Sequence, residues 1–132
     1  MKKRRYYYDG KRCSKGEKRI IEYLISRNIL FKKEYTFVDC VSLTDHKLRF
    51  DFYLPEYDIL IEADGQHHFA PVNKYSRAKK VHEQTKIHDQ IKNNFAYNKN
   101  IKLYRISYKE FENINEILDQ ILILAMNKIR EE

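Results

Sequence analysis

Asp51, Glu62, Asp64 and the pair His67-His68 stand close together in the chain. Carboxylates grouped this way hold a divalent cation, and an imidazole exchanges a proton near neutral pH. Together these are the means by which a bound water is set against a phosphodiester. Alternation predicts a β-hairpin that carries them. Leu48, Phe50, Phe52 and Leu54 share one face of a first strand and leave Arg49, Asp51 and Tyr53 on the other. Ile59, Ile61 and Ala63 are the apolar set of a second strand, opposite Glu62 and Asp64. With Pro55-Glu56-Tyr57-Asp58 as the loop, Leu54 pairs with Ile59 and Asp51 lands opposite Glu62. Like charges so opposed repel, and a cation between them removes the conflict. Oxygen ligands without sulfur suit a hard ion, so Asp51, Glu62 and Asp64 are the expected ligands of Mg²⁺ or Mn²⁺. His68 is the expected proton carrier. His67 points to the opposite side if the strand continues. The alternative is a polar face that is merely wet.

Other elements must position this hairpin. Ser14-Lys15-Gly16-Glu17 is a capping box opening a helix to about Asn28. Glu17 also lies on that helix's core stripe with Ile20, Ile21 and Leu24, so capping alone and capping with a role at the site both stay open. Ile29 to Phe37 reads as an edge strand, and Val38 to His46 as a turn-rich link with His46 solvated. After His68 comes a basic loop, 69–80, suited to clamping a nucleic-acid backbone. A helix follows from about Lys80 to Lys99 with an apolar stripe of Ile87, Ile91 and Phe95. Pattern alone puts Asp89 on its solvated side, although a polar side turned inward would bring Asp89 to the hairpin. Ile101 to Ser107 is a further strand. Asn113-Ile114-Asn115-Glu116 caps a closing helix with a broad apolar stripe and no expected chemistry. The order predicts an α/β fold, a mixed central sheet flanked by helices.

The 132 residues suffice for one domain, taken as residues 13–132 behind a basic flexible arm, 1–12. Lys+Arg 26 against Asp+Glu 19 gives a net charge of +7, which favours a polyanionic partner. Candidate nucleic-acid contacts are Lys3, Arg4, Arg5, Lys11 and Arg12 in the arm and Lys74, Arg77, Lys79 and Lys80 in the loop. Tyr6, Tyr7 and Tyr8 are placed to stack on bases or to pack on the domain. No apolar run reaches membrane-spanning length and no signal-peptide stretch is evident, which predicts a cytoplasmic protein without a membrane partner. A composition rich in Lys, Ile, Asn and Tyr hints at AT-rich coding DNA, as in some bacteria and phages. Cys13 and Cys40 are read as two ordinary thiols, too few for a disulfide framework.

A strand Asp, a hairpin to Glu-x-Asp-Gly-x-x-His, a helical Asp followed three residues on by Lys, and a strand carrying Arg form an ordered set over about residues 14–110. This set resembles the very-short-patch-repair-like branch of the PD-(D/E)XK nuclease superfamily, and within it the EDxHD homing endonucleases of phages. The resemblance implies a restriction-endonuclease-like core and matches Glu17, Asp51, His68 and Asp89 to the family's Glu, Asp, His and Asp. Glu62 takes the place of the second acid of the superfamily motif, and Lys92 that of the basic residue after the helical Asp. Asp64 stands where better-known members have the motif lysine. The zinc ligands of the mismatch-repair members are missing.

The expected activity is Mg²⁺-dependent hydrolysis of DNA, by nicking or double-strand cutting. Asp51 with Glu62 or Asp64 holds the ion, His68 moves the proton, and Asp89 and Glu17 orient the imidazole or a water. A non-catalytic nucleic-acid-binding module or subunit and an RNA-directed nuclease remain as alternatives, as do a homodimer or larger assembly.

Overall fold

The computed structural model describes residues 4–131, without the side chain of His67. Lys3, one of the candidate phosphate contacts, and the expected direction of the His67 ring therefore lie outside the described residues. Two short strands, β1 (Tyr6–Tyr8) and β2 (Lys11–Cys13), precede α1 (Lys15–Ser26). Then come β3 (Lys32–Val41), β4 (Lys47–Leu54), β5 (Ile59–Asp64), a 3₁₀ turn at Gln66–His68, α2 (Ser76–Asn98), β6 (Lys102–Ser107) and α3 (Ile114–Glu131). The main sheet has the order β3-β4-β5-β6, antiparallel except for the parallel β5–β6 pair that α2 connects. This is the expected α/β domain, with a mixed sheet and β3 at its edge.

Two apolar layers cover the sheet. On one face α1 and α3 pack Ile20, Ile21, Leu24, Ile114, Leu118 and Ile121 onto Phe52, Leu54, Ile59, Ile61 and Ile106. On the other, α2 packs Phe95 and Ala96 onto Cys40, Leu48, Phe50 and Leu60. The hairpin register is the one the loop length demands, with Leu54 opposite Ile59 and Phe52 opposite Ile61.

One expectation about β4 fails. Leu48 and Phe50 do not share a face with Phe52 and Leu54, because the first pair lies under α2 and the second under α1 and α3. The strand reverses its facing at Asp51. Its partner reverses with it: Phe31 packs with Phe52, whereas Phe37 sits with the α2 layer and Tyr35 stacks on Tyr53 of that layer. Between them Glu34, in register with Asp51, adopts φ 51°. That left-handed conformation breaks the strict alternation of a pleated strand. Because all four residues stay buried, the hydrophobic pattern carries no trace of the reversal.

Several boundaries move. Residues 6–13 are not an unstructured arm. Asp9 and Gly10, both with positive φ, turn β1 onto β2 as an Asp-Gly hairpin, and Lys18 Nζ donates to the Tyr7 carbonyl at 2.8 Å. The capping box of α1 is present, and its helix stops at Ser26 because Asn28 takes a left-handed φ of 53° while the Ile29 N–H donates to the Leu24 carbonyl. Residues 38–41 continue β3, so the link to β4 is only the turn around Ser42–His46. Since α2 begins at Ser76, Arg77, Lys79 and Lys80 occupy its first turns and the loop after His68 is shorter than expected. Val81 and Ile87 are exposed, so the apolar anchor of α2 lies in its C-terminal half, while His82 is buried in the N-terminal half. Both thiols are free, Cys13 against the α1/α3 layer and Cys40 buried under α2. Among the described residues no helix is long and apolar enough to cross a membrane.

The reversal carries a backbone cost at Glu34, whose exposed side chain reaches only a loose 3.9 Å pairing with Arg49. A left-handed φ disfavours an L-residue by about 1–2 kcal/mol and a β-branched one more. Glu34→Gly is therefore expected to hold or raise the urea midpoint, and Glu34→Val to lower it. Equal midpoints for the two would refute a left-handed residue at this position.

Candidate functional site

The two strands separate just beyond Phe52–Ile61, and side chains take over the hydrogen bonds that the ladder gives up. The Asp51 N–H donates to Glu62 Oε2 at 2.9 Å, and the Ala63 N–H donates to Asp51 Oδ2 at 2.8 Å. Each carboxylate is thus clamped by the opposite strand. Glu62 is 3% exposed, and a carboxylate so placed needs a partner to remain charged. Lys92 reaches down from α2 and sets Nζ 2.5 Å from Glu62 Oε1 and 5.3 Å from the centroid of the Phe50 ring. Burial, and then the charge and hydrogen bonding of Glu62, push Asp51 well above the ordinary carboxylate range.

Glu17 stands on the α1 side of the reversal. Its backbone N–H donates to Ser14 Oγ at 3.1 Å, its Oε1 accepts from the Ser14 N–H at 3.5 Å, and its Oε2 forms a 2.6 Å ion pair with Lys33. Lys33 lies over Phe52 as Lys92 lies over Phe50. Glu17 is also among the charges that raise Asp51. It therefore combines capping with a place at the edge of the acid site. Asp51 sits between two Lys–Glu pairs, one from each helical layer.

A second cluster lies further along β5. Asp64, also on the α2 side, is 5% exposed. The 3₁₀ turn after Gly65 swings His68 back so that Nδ1 is 2.8 Å from Asp89 Oδ2 and 3.7 Å from Asp64 Oδ1. An ionised carboxylate only accepts, so Nδ1 carries the proton toward Asp89. Arg105 of β6 donates from Nη1 to Asp64 Oδ1 and to Asp89 Oδ1, each at 3.3 Å. Burial raises Asp64, with Arg105 and His68 working against it. At Asp89 burial is overcome by the His68 hydrogen bond and the Arg105 charge, and its carboxyl falls below the ordinary range. At His68 burial disfavours the cation, but Asp89 and Asp64 outweigh it and raise the imidazole.

All seven residues expected at the site thus gather around one end of β5, but in two groups. Asp51, Glu62, Lys92 and Glu17 make one; Asp64, His68 and Asp89 make the other. Asp89 is not on a solvated face, because α2 turns its polar side to the sheet. The expected metal trio is divided. Among the described residues the three side chains with ligand atoms close enough to share one ion, within 4.8 Å, are Asp64, His68 and Asp89. Arg105 already spans that trio. The abutting carboxylates of Asp51 and Glu62 offer oxygen alone, which fits Mg²⁺, an ion commonly held by one or two carboxylates and otherwise by water. Of the expected phosphate contacts, Arg4, Arg5, Lys11, Arg12, Lys74, Arg77, Lys79 and Lys80 are all exposed. Lys11 and Arg12 line a small cleft of about 130 Å³ with Lys33 and Glu34, next to the reversal.

Arg105 and Lys33 were not among the residues expected to act. A strand arginine was visible in the motif order, yet only the β5–β6 register brings it to the acids. Lys33 carried no signal, since its position facing Glu17 depends on the reversal at Glu34. No protein-family model matches the chain, and neither curated proteins nor solved structures provide a match.

Proposed function

We propose that the protein is a metal-dependent endonuclease that hydrolyses DNA phosphodiester bonds. The observation that carries this reading is the pair of abutting carboxylates, half-buried Asp51 and buried Glu62, set beside a His68–Asp89 pair on the same strand end. Mg²⁺ held by Asp51 and Glu62 would supply charge neutralisation at the phosphate and help for the departing oxygen. His68, with Nδ1 hydrogen-bonded to Asp89, would take a proton from water or give one to the leaving group. Lys92 supplies an ammonium at the second acid, from a helix instead of from the position that Asp64 fills. Glu17 and Lys33 border Asp51 from the other side and orient what lies there. The exposed lysines and arginines around α2 and the β1–β2 hairpin hold the phosphate backbone.

Another reading is a non-catalytic nucleic-acid-binding module. It is favoured by the way Lys92 and Arg105 already neutralise Glu62 and Asp64. Plasmid and RNA cleavage separate the readings. The wild type is expected to cut DNA with Mg²⁺ and not in EDTA. Asp51→Ala is expected to abolish cutting, and His68→Ala to slow it by about 10²–10⁴-fold, the usual contribution of a positioned acid or base. Undiminished cutting by both variants, or binding without product at any metal concentration, removes the enzyme reading. Cleavage confined to RNA changes the substrate.

The pH profile gives a second check. His68 acting as base must be neutral, and its folded pKa lies above its ordinary value because the imidazolium is stabilised by Asp89 and Asp64. The rate should therefore climb with pH through a limb displaced upward from that value. Asp89→Asn removes the leading stabiliser of the cation, so the limb should move to lower pH while the maximum rate falls. An unmoved limb would dissociate His68 from the rate.

A further inference from the structure

We propose that Arg105 is the positioning residue of the His68–Asp89 pair: one guanidinium fixes both carboxylates that flank the imidazole and so sets which ring nitrogen carries the proton. Its consequence for rate rests on the nuclease reading; its consequence for the imidazole rests on geometry alone.

The guanidinium is engaged on every side. Nη1 meets Asp64 Oδ1 and Oδ2 at 3.3 and 3.4 Å and Asp89 Oδ1 at 3.3 Å. Nη2 donates to the Asp89 carbonyl at 3.3 Å, and Nε to Asn93 Oδ1 at 3.1 Å. One planar fork thus ties β6 to β5 through Asp64 and to α2 through Asp89 and Asn93. A residue so committed is a strut, not a free finger for phosphate.

Two carboxylates flank the His68 Nδ1. Asp89 divides its oxygens, Oδ2 to the imidazole and Oδ1 to Arg105, so the guanidinium sets the rotation of the group that receives the Nδ1 proton. Without Arg105, Asp64 and Asp89 face each other across the ring with only the imidazole between them, and like charges in a partly buried space move apart. Asp89 lies between the buried His82 and the apolar anchor of α2, which among the described residues is formed by Ile91, Phe95 and Ala96, while Val81 and Ile87 are exposed. A shift of α2 at Asp89 carries Lys92 with it, one turn further along. A lysine at position 105 keeps the charge but cannot reach Asp64, Asp89 and Asn93 from one planar group.

The test uses the full chain with Arg105→Lys and Arg105→Met. Long-range ¹H–¹⁵N NMR at alkaline pH without metal reads the His68 tautomer, assigned against His68→Gln, and cleavage kinetics read kcat and KM separately. The wild type is expected to hold the proton on Nδ1 alone. Both variants are expected to show mixed tautomers and a kcat lowered roughly 100-fold, as displacements of about 1 Å produce, with KM unchanged. If Arg105→Met does not fold, Arg105→Lys alone decides. An unchanged tautomer in a folded variant, or full recovery of tautomer and kcat by lysine, overturns the proposal. A wild type that cuts nothing ends the nuclease reading, while the tautomer still decides the role of Arg105.

Discussion

Two carboxylates pressed together inside a protein set the terms for everything around them. Asp51 and Glu62 repel, and each accepts a backbone N–H from the opposite strand. A regular ladder has no such donors to spare, since its N–H groups already face carbonyls. The strands must part at this point, and the reversal at Glu34 and Asp51 is how they part. Burial then requires a cation at Glu62, which fixes Lys92 in α2, and α2 in turn brings Asp89 to His68. The sheet end, the helix orientation and the second cluster follow from one electrostatic conflict.

What was legible in the chain tracks how local its cause is. The pairing of Leu54 with Ile59 follows from loop length, and the α1 cap from Ser14 and Glu17, so both were readable. The Asp9-Gly10 turn was equally local, but its flanking tyrosines and basic residues lack alternation and hid a hairpin in what reads as a tail. The reversal was not readable at all. Period-2 reasoning assumes a strand with a covered face and an open one, and β4 is covered on both, so a change of facing leaves every apolar residue buried.

The same distinction explains the site. Asp51, Glu62 and His68 were readable because they are near in sequence and their types conflict unless something joins them. Asp89 was readable only through the motif order, because a helix wheel ranks faces by apolar content, and α2 has too little of it for the wheel to decide. Its charged side faces the sheet, where Glu62, Asp64 and Arg105 offer partners that outcompete water. Those partners come from distant segments, β5 and β6, and no window of the sequence contains them together.

Charge matching at this end is close but not complete, and the residue left over matters. Lys92 answers Glu62, Lys33 answers Glu17, and Arg105 is shared between Asp64 and Asp89. Asp51 has no basic side chain hydrogen-bonded to it among the described residues; the Ala63 N–H donates to it, and burial, the charge and hydrogen bonding of Glu62, and the charge of Glu17 raise its pKa. An acid in that position is stable either by holding a proton or by meeting a cation from outside. A fold needing only stability has a simpler solution in an amide at 51, which would accept the Ala63 N–H and repel nothing. Retaining the carboxylate there, with two ammonium groups set one residue away on either side, gives the site an attraction for positive charge at one defined point. The surrounding surface of exposed lysine and arginine carries the opposite preference, for polyanions. On the proposed nuclease reading, a phosphodiester drawn to that surface would meet, at the strand reversal, an acid that calls for a cation.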